Sequence, residues 1–76
     1  MKFPRIRDLR EDCDLTQTEV GERLHVTQRS YAYYESGDRT IPPELLVALA
    51  DMYGVSVDYL LGRTDEMKPY PPSRHF

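Results

Sequence analysis

The sequence predicts an all-α domain of five short helices. Apolar residues recur at helical spacing in several short segments, and residues that cap or stop helices flank those segments. The chain has 76 residues, of which 39% are hydrophobic, enough for one domain with a small core. We expect residues 1–62 to form this domain. Residues 63–76, with three prolines and no periodicity, should form a tail.

The first helix is predicted from a proline and an apolar stripe. Pro4 suits the first turn, where the missing N–H of proline is no loss, and Ile6 and Leu9 supply one buried face. This helix is expected over residues 4–12. In the connection that follows, Leu15 should fill the core beneath the next helix.

Two threonines predict the starts of the next two helices. Thr16 and Glu19 have the spacing of a capping box, so a second helix is expected over residues 17–24. The hydroxyl of Thr27 can accept a free backbone N–H, so a third is expected over residues 28–35. Five apolar residues are placed so that these two helices must pack together: Val20, Leu24, Val26, Tyr31 and Tyr34.

Glycines and a proline pair bound the remaining helices. Gly37 suits the left-handed position that ends the third helix. After Pro42-Pro43, a wide apolar stripe at helical period predicts a fourth helix over residues 43–53. Ser56 can cap a short fifth helix, expected over residues 57–61.

The second and third helices, joined by the tight turn at residues 25–26, have the pattern of a helix-turn-helix. The third helix leaves four residues exposed, namely Gln28, Arg29, Ala32 and Tyr33. Gln and Arg can each make two hydrogen bonds to a base edge in the DNA major groove. The pattern therefore favours a domain that reads double-stranded DNA with its third helix. A solvated polar face is the plainer alternative.

The net charge of −3 does not by itself favour nucleic acid. The charge is uneven, however, because residues 1–10 are mostly basic and residues 11–26 mostly acidic. Phosphate contacts need only local positive charge. We therefore expect modest non-specific affinity and a specificity that depends on base contacts.

Other classes of function lack their sequence signatures. No apolar run approaches the ~20 residues of a membrane span, and the charged start does not resemble a signal peptide. Cys13 is the only cysteine, so we expect no internal disulfide and a cytoplasmic location. Together with His25 and His75 it matches no zinc spacing. No catalytic motif is present in the sequence, so we expect no enzyme activity, no metal and no cofactor.

Four motifs together resemble the lambda-repressor-like, or Xre-type, DNA-binding domains. They are LTQTEVGERL at residues 15–24, TQRSY at 27–31, YESG at 34–37 and GVSVDYLLG at 54–62. The resemblance covers Ile6 to Gly62 and implies five helices with the helix-turn-helix at the second and third. Three residues depart from the family's usual pattern: Gly21 replaces alanine, His25 glycine, and Tyr31 a smaller aliphatic residue. We expect Tyr31 to be only partly buried.

The resemblance implies DNA contact by six residues: Gln17, Thr27, Gln28, Arg29, Tyr33 and Arg39. Gln17, at the start of the second helix, is expected to meet a phosphate and orient the domain. Gln28 and Arg29 are expected to read base edges. Tyr33 should touch a thymine methyl group or a phosphate, and Arg39 should neutralise a phosphate.

The resemblance also implies an internal ion pair and a dimer. Arg10 and Glu35 should pair and fix the third helix against the first. A homodimer should bind a palindromic operator whose half-sites lie about one helical turn apart. Its candidate surface is the fifth helix with the preceding loop: Val55, Val57, Tyr59 and Leu60. Tyr70 and Phe76 are candidate anchors of the tail against the body or a partner. Plain core burial is the alternative for these four residues.

The expected function is that of a sequence-specific transcriptional regulator, a repressor of bacterial or phage type. The alternative is a protein-interaction module of the same fold, such as an antitoxin, adaptor or anti-repressor that does not depend on DNA. The acidic net charge and the tyrosines of the third helix keep this alternative open.

Overall fold

The computed structural model describes residues 2–71, which contain five α-helices and no strand. The helices are α1 (Pro4–Asp12), α2 (Gln17–Leu24), α3 (Gln28–Ser36), α4 (Pro43–Tyr53) and α5 (Val57–Leu60). The predicted all-α class is confirmed. None of the described helices is both long and apolar enough to cross a membrane.

Two helix ends differ from the prediction by one residue. The third helix continues through Ser36, because Gly37 is the first residue in the left-handed region, with φ of 87°. The fifth ends at Leu60, because the chain tightens there into a turn in which the Gly62 N–H donates to the Tyr59 carbonyl at 3.1 Å.

Side-chain caps begin the second, third and fifth helices. The Thr16 hydroxyl accepts the Glu19 N–H at 3.1 Å, and the Glu19 carboxylate accepts the Thr16 N–H at 3.0 Å, so the capping box is complete. The hydroxyls of Thr27 and Ser56 each accept an N–H three residues later at 3.0 Å. These bonds fix where α2, α3 and α5 start.

The turn between α2 and α3 depends on two unusual residues. His25 lies in the left-handed region, with φ of 59°, and the Val26 N–H donates to the Gly21 carbonyl at 2.9 Å. A Cβ atom on Gly21 would lie only 3.0 Å from the Val26 carbonyl oxygen. The glycine therefore lets the turn approach α2 closely. Asp14, with φ of 56°, is the other non-glycine residue in the left-handed region among residues 2–71, and the sequence pattern did not predict it.

The core collects buried side chains from all five helices and from the two loops that flank α4: Ile6, Leu9, Val20, Leu24, Tyr31, Ile41, Leu49, Ala50, Val55 and Leu60. Tyr31 is 0% exposed, so the expectation that it would be only partly buried was wrong. Its ring lies among the other core residues where α3 packs on the rest of the domain. Leu15 packs against the edge of this core, as expected.

Residues 63–71 lie against the helical body. The Arg5 guanidinium donates to the Thr64 carbonyl and, at 2.6 Å, to the Asp65 carboxylate. The N–H of Ser56 donates to the Met67 carbonyl at 2.9 Å. The first part of the tail is therefore bonded to both α1 and the start of α5.

The two predicted tail anchors have different outcomes. The Tyr70 hydroxyl donates to the Asp58 carboxylate at 3.1 Å, although the Tyr70 ring remains exposed. Phe76, like His75, lies outside the described residues. The division of the chain at residue 62 stays a prediction.

Candidate nucleic-acid interface

A buried ion pair locks α3 against α1. Two nitrogens of the Arg10 guanidinium donate to the two Glu35 carboxylate oxygens, at 2.8 and 2.9 Å. A third Arg10 nitrogen donates to the Leu15 carbonyl at 2.9 Å. The side chains of Arg10 and Glu35 are only 14% and 6% exposed. Paired hydrogen bonds of this kind fix geometry as well as charge.

The surroundings of the pair shift the pKa values of its members. Burial tends to raise the pKa of the Glu35 carboxyl, but the hydrogen bonds from Arg10 and weaker interactions with Tyr31 and Gln17 outweigh burial and hold it below its usual range. The bond to Glu35 raises the pKa of Arg10. Burial and the neighbouring carboxylate raise the pKa of the Tyr31 phenol. Its hydroxyl has no hydrogen bond of ordinary geometry within residues 2–71.

Two glutamines connect this pair to the exposed start of α3. The Gln17 side-chain amide donates to Glu35 Oε1 at 3.4 Å, and Gln17 Oε1 accepts the Gln28 side-chain amide at 2.7 Å. The Gln28 side chain is exposed, whereas Gln17 is half-buried. A continuous set of polar contacts therefore runs from the α1–α3 pair to the first turn of α3.

Arg29 and Tyr33 of α3 form a second cluster with Arg39, which lies in the loop after that helix. The Arg39 guanidinium carbon lies 4.6 Å from the centre of the Tyr33 ring, and that of Arg29 lies 5.9 Å away. The Arg29 Nε–H donates to the Tyr33 hydroxyl at 3.3 Å. The Arg39 backbone N–H donates to the Tyr33 carbonyl at 3.2 Å, which closes the turn after α3.

A cleft of about 290 Å³ opens beside α3 and is lined by residues from α1, α2, α3 and the start of the chain: Lys2, Arg7, Arg10, Gln17, Ala32, Glu35 and Ser36. Its two exposed cations are Lys2 and Arg7, of which Arg7 pairs with Glu11 on the surface. The other basic residues near the start of the chain, Arg5 and Arg10, are bonded to internal partners.

The structure brings the predicted DNA-contacting residues to adjoining positions. Gln17 and Gln28 are bonded to each other, and Arg29, Tyr33 and Arg39 form the cluster described above. Thr27 caps α3 through the backbone N–H of Ser30. Its hydroxyl also donates to the Ser30 side chain at 3.0 Å, so it lies at the start of the same helix.

The four residues predicted for a dimer surface are not equally available. Val55 and Leu60 are 3% and 1% exposed, so their side chains pack inside the protomer. Val57 and Tyr59 are half-buried, and the Arg5 guanidinium lies over the Tyr59 ring at 4.0 Å. Only Val57 and Tyr59 of this set retain area that a partner could contact.

The contacts that organise this surface were not predicted from the sequence pattern. The bond between the two glutamines and the contacts of two arginines with Tyr33 were not predicted. One signal was available, because both glutamines occupy the first position of their helices. Residues 2–71 contain no group of three His, Cys, Asp or Glu side chains that could hold a metal ion.

The family model described as helix-turn-helix matches residues 6–60, from α1 to the end of α5. The chain belongs to the helix-turn-helix family. In this helix-turn-helix chain, α2 and α3 are the two helices of the motif, with the left-handed His25 between them.

Curated relatives of the helix-turn-helix chain are similar over most of its length. It is 42% identical over 69 residues to the uncharacterized HTH-type transcriptional regulator YobD of Bacillus subtilis, covering 91% of the chain and 62% of the relative. It is 33% identical to the Bacillus subtilis HTH-type transcriptional regulator ImmR, covering 84% of the chain and 50% of the relative. It is 36% identical to the cryptic phage CTXphi transcriptional repressor RstR of Vibrio cholerae, covering 80% and 55%. The chain thus spans about half to three fifths of these relatives' lengths.

Proposed function

We propose that this chain is a sequence-specific, double-stranded DNA-binding transcriptional regulator of the repressor type. The observation that carries the proposal is the exposed first turn of α3, where Gln28 and Arg29 stand side by side and Gln28 is held by Gln17. Similarity to proteins named as transcriptional regulators, and to one named as a phage repressor, supports this assignment. The chain is proposed to act in the cytoplasm, without a metal or cofactor.

In this proposal α3 enters the major groove and its first turn reads base edges. Gln28 pairs with an adenine and Arg29 with a guanine, the pairings that their hydrogen-bond geometry favours. Long side chains lose rotamer freedom when they bind. The bonds that Gln28 makes to Gln17 and Arg29 to Tyr33 already restrict these side chains in the free protein. Part of the rotamer freedom of Gln28 and Arg29 is therefore already lost on folding, so less is lost on binding.

Phosphate contacts are proposed at both ends of α3. Gln17 is bonded to Gln28 at the start of the helix, and Arg39 follows its end. The cleft with Lys2 and Arg7 opens beside the helix. This placement accounts for DNA binding by an acidic chain, because positive charge next to the groove matters more than net charge. Neutralised phosphates release counterions, so the affinity should fall with salt.

The proposed active form is a homodimer on a palindromic operator, because one helix-turn-helix reads only a few base pairs. The exposed parts of Val57 and Tyr59 are the proposed contact on α5. Val55 and Leu60 support that surface from the core.

The test is selection of bound sites from a pool of random duplexes, followed by affinity measurement on the selected site. Gln28→Ala and Arg29→Ala should each lose about 1–3 kcal/mol on that site and relax the preference at one base pair. Arg63→Ala removes the same charge as Arg29→Ala from an exposed position after α5 and serves as the matched control. It should leave the selected sequence unchanged.

A salt titration on random duplex separates this proposal from the interaction-module alternative. A regulator should lose affinity steeply as salt rises, with a slope of about −0.9 for each phosphate contacted. A module that does not depend on DNA should show almost no binding at any salt concentration. That result, together with failure to select any site, would overturn the proposal.

Assembly is tested by analytical ultracentrifugation with and without a palindromic duplex. We expect a weak dimer in solution that strengthens on DNA, because two half-sites on one duplex raise the effective concentration of each protomer. Saturation of the selected site by one protomer, with no second protomer adding at higher concentration, would contradict the dimer.

A further inference from the structure

We propose that Tyr33 acts as a positioning residue that holds Arg29 and Arg39 for DNA, and that it does not itself read a base. This inference rests on the proposed DNA-binding function. It differs from the role expected from the family resemblance, in which Tyr33 touches a thymine methyl group or a phosphate.

The first observation is that two cations share one ring. The Arg39 guanidinium stacks at 4.6 Å from the centre of the Tyr33 ring, within the range of an attractive cation–π contact. Arg29 is 5.9 Å from the same centre, near the limit of that range. Two like charges repel each other. The attraction of each guanidinium to the Tyr33 ring offsets that repulsion and keeps the two side chains close together.

The second observation is that the two arginines use different parts of Tyr33. Arg29 donates to the hydroxyl at 3.3 Å, so its position depends on the phenol oxygen. Arg39 stacks on the ring. Its backbone N–H also bonds to the Tyr33 carbonyl at 3.2 Å, which keeps the Arg39 backbone close to Tyr33. The hydroxyl therefore orients Arg29, and the ring orients Arg39.

The third observation is that Tyr33 has little left to offer DNA directly. The residue is half-buried, one arginine stacks on its ring, and its hydroxyl accepts from the other. Arg29 and Arg39 are both exposed, whereas Tyr33, which both of them contact, is half-buried. Base reading by Arg29 and phosphate contact by Arg39 are therefore coupled through one side chain.

The separate uses of hydroxyl and ring allow a sharp test with two substitutions. Tyr33→Phe keeps the ring and removes the acceptor for Arg29. It should reduce discrimination at the base pair that Arg29 reads by roughly three- to tenfold, the worth of one hydrogen bond, and leave the salt slope unchanged. Tyr33→Leu removes both functions. It should reduce the same discrimination and also lower the salt slope by about 0.9, the value of one lost phosphate contact.

Two controls make the result specific. Tyr34→Phe removes a hydroxyl from the neighbouring aromatic residue, which packs against the core, and should change neither measurement. In an Arg39→Ala background, Tyr33→Leu should lower the salt slope no further. A change of preference at a base pair other than the one affected by Arg29→Ala would mean that Tyr33 contacts DNA itself, and would overturn the inference. So would unchanged binding by both Tyr33 variants.

Nuclear magnetic resonance of the free protein keeps this test apart from the test of function. A stacked arginine has its side-chain protons shifted upfield by the ring, so the Arg39 signals should be shifted in the wild type and in Tyr33→Phe but not in Tyr33→Leu. Absence of this shift in the wild type would overturn the inference even if the protein binds DNA. If the shift is present but no duplex binds at low salt, the proposed function fails, and the positioning role fails with it.

Discussion

Removal of Arg10 should destabilise this domain strongly, because it leaves the buried Glu35 carboxylate without its partner. In Arg10→Met the Glu35 carboxylate, 6% exposed, loses two hydrogen bonds of 2.8 and 2.9 Å and keeps only the long contact from Gln17 at 3.4 Å and the Tyr31 interaction. Breaking one side of such a pair costs about 3–5 kcal/mol. Native domains have only about 5–15 kcal/mol in total.

Substitution of Glu35 should lower the free energy of unfolding by less than substitution of Arg10 does. In Glu35→Gln the Arg10 guanidinium keeps its bond to the Leu15 carbonyl and its 14% exposure, so we expect a loss of about 1–3 kcal/mol. The double variant removes both charges, and its loss should fall short of the sum by about 2 kcal/mol, within the usual range for residues in contact. Urea unfolding followed by circular dichroism measures all three. Strictly additive losses would show that the two side chains do not stabilise each other.

The same comparison has a pH dependence whose sign follows from the causes of the Glu35 shift. In the wild type the pKa of Glu35 is lowered from 4.5, so the stability that it contributes is present above pH 4.5 and is lost as the pH falls through the folded-state value. Without Arg10, burial dominates and raises the pKa, so the variant loses stability as the pH rises above 4.5. The difference in free energy of unfolding between wild type and Arg10→Met should therefore become smaller in acid. A difference that does not change with pH would refute this reasoning. Arg7→Met, which breaks an exposed pair with Glu11, is the control and should change little.

Three further predictions concern the turns and the tail. His25→Gly should raise the free energy of unfolding by up to about 1 kcal/mol, because glycine adopts the left-handed φ of 59° without strain. Gly21→Ala should not yield the ~1 kcal/mol expected from helix propensity, because its Cβ would lie 3.0 Å from the Val26 carbonyl; the full gain in urea unfolding would contradict the close approach. Arg5→Met should lower the free energy of unfolding by about 2 kcal/mol through the lost bonds to Thr64 and Asp65, whereas Arg63→Met should leave the melting temperature nearly unchanged.

Much of the fold was predictable because its signals are local. A threonine that caps a helix acts on an N–H three residues away, so Thr16 and Thr27 located the starts of α2 and α3 from sequence alone. The helix ends at Ser36 and Leu60 were each missed by one residue, since the last turn depends on backbone angles that the sequence does not specify uniquely.

Burial was less predictable because it depends on packing between distant segments. Tyr31 was expected at the rim and lies in the core. Val55 and Leu60 were candidates for a dimer surface and lie in the core of the protomer. A sequence pattern identifies an apolar residue but not whether its own chain or a partner covers it. At the candidate interface the polar face of α3 was predicted from spacing. The Gln17–Gln28 bond was not, because it depends on the rotamers of two long side chains.

That bond also alters what Gln17 is expected to do. From the sequence, Gln17→Ala should weaken binding to all duplexes alike. With Gln28 resting on Gln17 Oε1 at 2.7 Å, the same substitution should also relax the preference at the base pair that Gln28 reads. A residue assigned to the DNA backbone thereby acquires an influence on sequence preference.

The attachment of the tail gives the protein a natural probe of local opening. The Ser56 amide is buried and bonded to the Met67 carbonyl, so it can exchange its hydrogen with solvent only after residues 64–67 lift away. Such partial openings need less free energy than global unfolding and are measured by native-state hydrogen exchange. The exchange rate of this one amide, compared with amides in the middle of α2, would report how often the tail detaches while the helices stay folded. A change in that rate on adding duplex DNA would show that DNA binding alters how often the tail detaches.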